Sequence, residues 1–351
     1  MKKIVIYILL MNSIAFNVCA YEIPEDFLDN LPFDAGGGNA KDIEDTYSGL
    51  IERVKTFATS EIKSGLRKSV KIIMICGVCA IAGIFKKTDE DTKGRRIVET
   101  AGVCLLLMVS LTDTKSLLIE SRDAITEMGV FSKIMMPLLA TWASCAGKPV
   151  SAVAITSGAM VYTSACCAVA EKMMFVLIIT FILLKTAGIA GDNIIAKGMA
   201  DALKNGLMYI VKICLAGITF YITLSGCIMS AGDSTAVKTA KAAVNVLPGI
   251  GSAVAGVTES IIAGAAVIRN SIGALGVIAV LFIAAGPFVK AFISMAIFRI
   301  TAVISSAFTS NVLADTLEAI ASGYTMAIGM LAAASGGIIL SAAIAILVFG
   351  G

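Results

Sequence analysis

Histidine is absent from all 351 residues. That excludes imidazole metal ligands, imidazole general bases, and the Ser-His and Cys-His catalytic arrangements. Charge is scarce too, at 15% of residues, while 58% are hydrophobic. Soluble domains are nearer a quarter charged; lipid is the solvent that suits this balance. The 28 basic and 25 acidic residues nearly cancel to +3, which is too even for a nucleic-acid partner. No Gly-x-x-x-x-Gly-Lys-Ser/Thr loop occurs, so the chain is not expected to hydrolyse a nucleotide itself. Nor does any linker mark off a second soluble domain. No catalytic, cofactor or metal-binding residues are expected.

What is present begins with a secretion pattern. Lys2 and Lys3 precede an apolar core, Ile4 to Met11, and Val18 and Ala20 stand at the −3 and −1 positions of a cleavage site. Residues 1–20 therefore read as a signal peptide. A short acidic stretch with Pro24, Pro32 and Gly36 to Gly38 follows. From Ile43 an apolar stripe at helical spacing runs through Tyr47, Leu50, Val54, Phe57 and Ile62, with charges opposite. Residues 21–69 are thus expected as an extracytoplasmic segment carrying an amphipathic helix that lies on the membrane or against a partner.

Residues 70–351 read as the membrane domain. Val70–Phe85 and Ile97–Thr112 form a hairpin around the basic stretch Lys86 to Arg96, and basic loops face the cytoplasm. A cleaved signal leaves the mature N-terminus outside, so two independent arguments give one orientation. Thr112–Val130 reads as polar and outside. Further apolar segments are Val130–Gly147, Pro149–Ala170, Met173–Ala190, Gly206–Ala231, Ala242–Ile268, Ile272–Val289 and Tyr324–Gly351, with a mixed stretch between the last two. The expected fold is an all-α polytopic transmembrane bundle of about eight spans, some short, broken or re-entrant. Eight of the nine cysteines, including Cys76 and Cys79, fall in apolar sequence. Helix packing explains them better than metal or redox chemistry does.

Three features rise above this background. Pro248, Gly249 and Gly251, then Gly273 and Gly276, interrupt apolar sequence; breaks at membrane depth survive when buried in protein or lining water. Leucine at Gly249 is therefore expected to harm more than leucine at Gly323. Ionisable residues also enter apolar stretches: Lys133, Lys185, Lys212, Glu259, Arg269, Lys290 and Arg299. Most lie near a span end; Glu259 is the best interior charge, and Glu259→Leu is expected to impair function without loss from the membrane. The third feature is small residues, 32 of them glycine, which predicts close helix packing and self-association.

Lys238 to Ile261 (KTAKAAVNVLPGIGSAVAGVTESI), Ile268 to Gly276 (IRNSIGALG) and Met136 to Gly147 (MPLLATWASCAG) closely resemble the stage III sporulation protein AE family. The layout of signal, short acidic segment and spans resembles it as well. The sequence departs in carrying Arg269 where lysine is expected. The resemblance implies a component of the channel complex in the mother-cell membrane around the forespore. It also implies partners: an ATPase, ring-forming subunits and small membrane subunits. It supplies no catalytic residues. Pro248, Gly249, Gly251, Glu259, Arg269, Asn270, Gly273 and Gly276 are the candidate pore or structural residues. The alternatives are a secondary transporter with its site near Glu259 and a scaffold that anchors the complex.

Overall fold

A computed structural model describes the backbone of residues 40–85, 92–145, 149–245 and 251–350, and side chains chiefly over 54–82, 96–141, 153–217 and 273–343. The expected signal peptide and acidic segment, and Pro248 and Gly249, lie outside the described residues. All regular structure within them is helical: α1 Ala40–Phe85, α2 Thr92–Cys145, α3 Pro149–Ala190, α4 Ile194–Asn245, α5 Gly251–Ser306 and α6 Asn311–Gly350.

These helices outrun a bilayer. They contain from 40 residues in α6 to 56 in α5, or about 60–84 Å at 1.5 Å per residue. A hydrocarbon core is about 30 Å thick. Among the described residues, four stretches are long and apolar enough to cross a membrane: Arg96–Thr141, Val153–Ala190, Gly273–Ser306 and Asn311–Ala343.

Several expected boundaries are absent. Thr112–Val130, read as an outer linker, lies inside α2. Its apolar residues Leu117, Leu118, Ile125 and Met128 are buried at helical spacing, and no proline interrupts it, so the helix continues. The amphipathic segment before residue 70 and the apolar segment after it are one helix, α1. Pro149–Ala170 and Met173–Ala190 likewise merge into α3, because Glu171 and Lys172 are both tolerated on a helix surface. The backbone also continues through Arg269 to Ser271 within α5. Helix α2 is described to Cys145 and α3 from Pro149; Gly147 and Lys148 lie outside the described residues.

Between the expected apolar segments Met173–Ala190 and Gly206–Ala231 the chain leaves the helix for only three residues, Gly191 to Asn193, before α4 begins. Asp192 takes φ 52° there. The Asn193 side chain accepts the N–H groups of Ile195 (2.9 Å) and Ala196 (3.3 Å), capping the first turn of α4. Lys197 Nζ donates to the Asp192 carboxylate at 2.8 Å. That hydrogen bond, then the lysine charge, holds the Asp192 pKa below its ordinary value. Its contribution to the turn is present above the ordinary carboxylate range and lost as pH falls through the lowered pKa. Asn193→Ala is expected to cost about 1 kcal/mol, read as a lower Tm of the chain in detergent.

Cross-helix contacts give an up-and-down bundle. Lys68 meets Asp113 and Cys79 meets Gly102, so α1 and α2 are antiparallel. Ser132 with Thr163 and Arg122 with Glu171 make α2 and α3 antiparallel. Lys185 with Asp201 and Tyr221 with Ile155 do the same for α3 and α4. Arg299 with Glu318 pairs α5 with α6, while Thr114 with Tyr324 and Gly102 with Leu313 run α2 parallel to α6. The turns after α3 and α5 therefore share one end of the bundle with the start of α2; Arg96 donates to the Gly191 carbonyl there at 3.3 Å.

Helix α6 is central, packing against α2, α3, α4 and α5. It buries Leu317, Ile320, Tyr324, Leu331 and Ile338 among alanines. Small residues set the closest approaches. The Tyr162 ring sits between Gly217 of α4 and Gly337 of α6: a Cβ at either would stand 2.8 Å or 3.2 Å from it. At Gly323 an added Cβ would meet Ile182 Cδ1 at 2.6 Å.

Candidate functional site

The ionisable residues that sequence reading treats one by one are gathered by the fold. Lys290 of α5 reaches Glu120 of α2 at 2.6 Å, Lys68 of α1 reaches Asp113 of α2 at 3.0 Å, and Arg122 of α2 meets Glu171 of α3 at 3.5 Å. Lys185 meets Asp201 across α3 and α4 at 2.6 Å, and Arg299 meets Glu318 across α5 and α6 at 3.5 Å. The α2 members fall near the middle of that helix. The first three pairs form a belt near the middle of α2, with apolar helix on both sides of it along α2 and α3; the Lys185 and Arg299 pairs lie nearer the end of the bundle that carries the turns after α3 and α5.

Partial exposure limits what each pair contributes. Lys290 is 21% and Glu120 38% exposed, so water screens their attraction. The belt's greater consequence is solvation. A charge at the centre of a bilayer costs about 3 kcal/mol on insertion scales. A bilayer centred on the waist would hold at least six charged side chains at that depth. Whichever apolar half lies in hydrocarbon, the lipid edge therefore falls on the belt.

Beside Lys290 and Glu120 a cavity of about 600 Å³ opens between α1, α2 and α5. Helix α2 supplies Ser116, Glu120, Asp123 and Glu127, which share one face at helical spacing. Helix α1 supplies Val54 and Phe57, and α5 supplies Ile283, Gly286 and Pro287. Pro287 lies inside α5 and has no N–H, so the helical bond to the Ile283 carbonyl is missing at the cavity wall. Among the described residues that line it, three carboxylates and that acceptor give the wall an excess of negative charge. Among the described residues, no group of three or more cysteine, aspartate or glutamate side chains is placed to hold a metal ion.

The glycine candidates divide. Gly273 and Gly276 are buried within α5; a Cβ at Gly276 would run into Met135 Sδ of α2, so this glycine marks a helix crossing. Gly251, Glu259, Arg269 and Asn270 belong to α5, but their side chains lie outside the described residues. Gly323 is no neutral comparator for Gly249, because Ile182 fills the space a side chain would need. The carboxylates of the cavity escape the sequence reading because they sit in the segment taken for an outer linker. The spacing of Glu120, Asp123 and Glu127 was the available signal.

Long antiparallel helices, four of them apolar enough to span a bilayer, with a core of alanine, glycine and aliphatic residues, define a helical membrane protein. The sequence pattern of the stage III sporulation protein AE family matches residues 39–351, and the chain belongs to that family. One curated relative, stage III sporulation protein AE of Bacillus subtilis (strain 168), is 20% identical over 234 residues. The matched region covers 66% of this chain and 59% of that relative. No solved structure matches the chain.

Proposed function

We propose that the chain is a multi-pass subunit of the sporulation channel complex, seated in the mother-cell membrane around the forespore with its mature N-terminus outside the cytoplasm. In this reading it contributes to the conducting path or its export gate, assembles with further copies of itself, and works with ATPase, ring-forming and small membrane subunits. The observation that carries the reading is the acid-lined cavity at the charged waist: carboxylates persist at such a place when they face water. Family membership supports the sporulation role. The Pro248-Gly249-Ile250-Gly251 sequence is assigned to the same path.

Conductance tests this directly. Replacing Asp123 and Glu127 together by lysine is expected to reduce cation selectivity of membranes containing the purified complex, and to cut spore yield at least tenfold, with the protein still in the membrane. Unchanged selectivity and unchanged spore yield would remove the cavity from the conducting path.

A further inference from the structure

We infer that the outer face of α1 binds the anionic phospholipid headgroups of the membrane in which the bundle sits, through Lys63, Arg67 and Lys71. This inference rests on the membrane reading and is independent of any conducting role. Four cations crowd this stretch of α1, and the fold separates them. Lys68 turns inward to Asp113 at 3.0 Å. Lys63, Arg67 and Lys71 are exposed, stand one turn apart in a single file, and form no ion pair among the described residues.

Two further observations favour lipid as the occupant. Beside the file runs an exposed apolar strip: Leu66, Val70, Met74, Val78 and Ile81 are each more than half exposed, from 52% to 67%. Such a strip, bordered by charge only at its basic end, suits acyl chains with headgroups at that end. The strip continues beyond the basic file through Ile72–Phe85, which contains no charge. Those residues cover about 21 Å of helix, and lysine stems that snorkel outward extend the reach toward a full hydrocarbon layer. The cations thus stand where apolar α1 ends, at the level of the belt, and phosphates there would replace the counter-ions the protein does not supply.

The test uses the full-length chain in nanodiscs of phosphatidylglycerol and phosphatidylcholine. The lipid retained on the protein is analysed by mass spectrometry. Retained lipid is expected to be enriched in phosphatidylglycerol over the bulk ratio, and the enrichment is expected to fall as salt rises. Each charge removed lowers the preference about fivefold, so the triple variant K63Q/R67Q/K71Q should return to the bulk ratio. The charge-keeping variant K63R/K71R should retain the enrichment, as should K172Q/K204Q/K212Q, which removes three lysines elsewhere. Tm of each variant confirms that the bundle stays folded. Enrichment that survives K63Q/R67Q/K71Q, or that is lost equally in K172Q/K204Q/K212Q, overturns the assignment. A file occupied by a protein partner would give the first of these results.

Discussion

Gly323→Leu should unfold or lose the protein, whereas Gly206→Leu should leave it intact. Both changes add the same side chain to a helix, but the surroundings differ. At Gly323, Ile182 Cδ1 and Cγ1 stand 2.6 Å and 2.9 Å from where a Cβ would lie, and Ile178 follows at 3.5 Å. Ile178 and Ile182 are themselves buried at 0% and 1% exposure, so neither can swing into water. Separating α3 from α6 is the remaining way to make room, and α6 is the central helix. Overpacking a filled core costs about 3 kcal/mol for a change of this kind, and membrane helices that depend on close backbone approach have no hydrophobic drive to re-form elsewhere. At Gly206 a Cβ meets nothing within 4 Å. There leucine improves helix propensity by up to about 1 kcal/mol. The measurement is Tm and yield of the purified chain in detergent. Equal losses at both positions would show that α3 and α6 do not cross at Gly323.

The second large effect is at the waist. Lys290→Glu should lower stability by about 2 kcal/mol and be largely rescued by Glu120→Lys. The single change removes the lysine that pairs with Glu120 and sets another carboxylate beside it, with Asp123 and Glu127 on the same wall. A fully buried pair broken on one side costs about 3–5 kcal/mol; the exposure of these side chains reduces that figure. The double variant restores one cation against one anion in the same place, so a thermodynamic cycle isolates their coupling. A double variant no more stable than the sum of its parts would separate α2 from α5 at this level.

Much of the fold is legible in the sequence, and the failures share a cause. All-helical architecture follows from composition and periodicity, and Pro149 at the start of α3 suits the first position of a helix. The sequence reading ends a segment wherever charge appears, at Asp113, at Glu171 and at Arg269. In a bundle longer than the bilayer is thick, charge does not end a helix. It marks where the helix leaves lipid, or where a neighbour supplies the opposite charge, as Glu171 does for Arg122. No single stretch reveals that Lys290 and Glu120, 170 positions apart, meet at one level. Lys63, Arg67, Lys68 and Lys71, at the start of the first apolar segment, conflict with the positive-inside rule in the sequence; the structure gives Lys68 to Asp113 and leaves the other three exposed. Gly276 was read as a break and is instead a contact with Met135, because a glycine that loosens a helix and one that admits a neighbour look alike without the neighbour.

The central claim is that the hydrocarbon edge falls on the charged waist, so that part of every long helix stands clear of lipid. The most direct measurement is a depth profile along the outer face of α2, with nitroxides placed one at a time at Ile97, Leu105, Met108, Lys115, Thr126, Val130 and Thr141 in a cysteine-free chain. Accessibility to oxygen reports lipid, and accessibility to a water-soluble nickel chelate reports solvent. The account predicts strong chelate access at Lys115 and Thr126, and an oxygen-rich zone confined to one side of them. An oxygen-rich band centred on Lys115 and Thr126, with chelate access only at the two ends of α2, would contradict it.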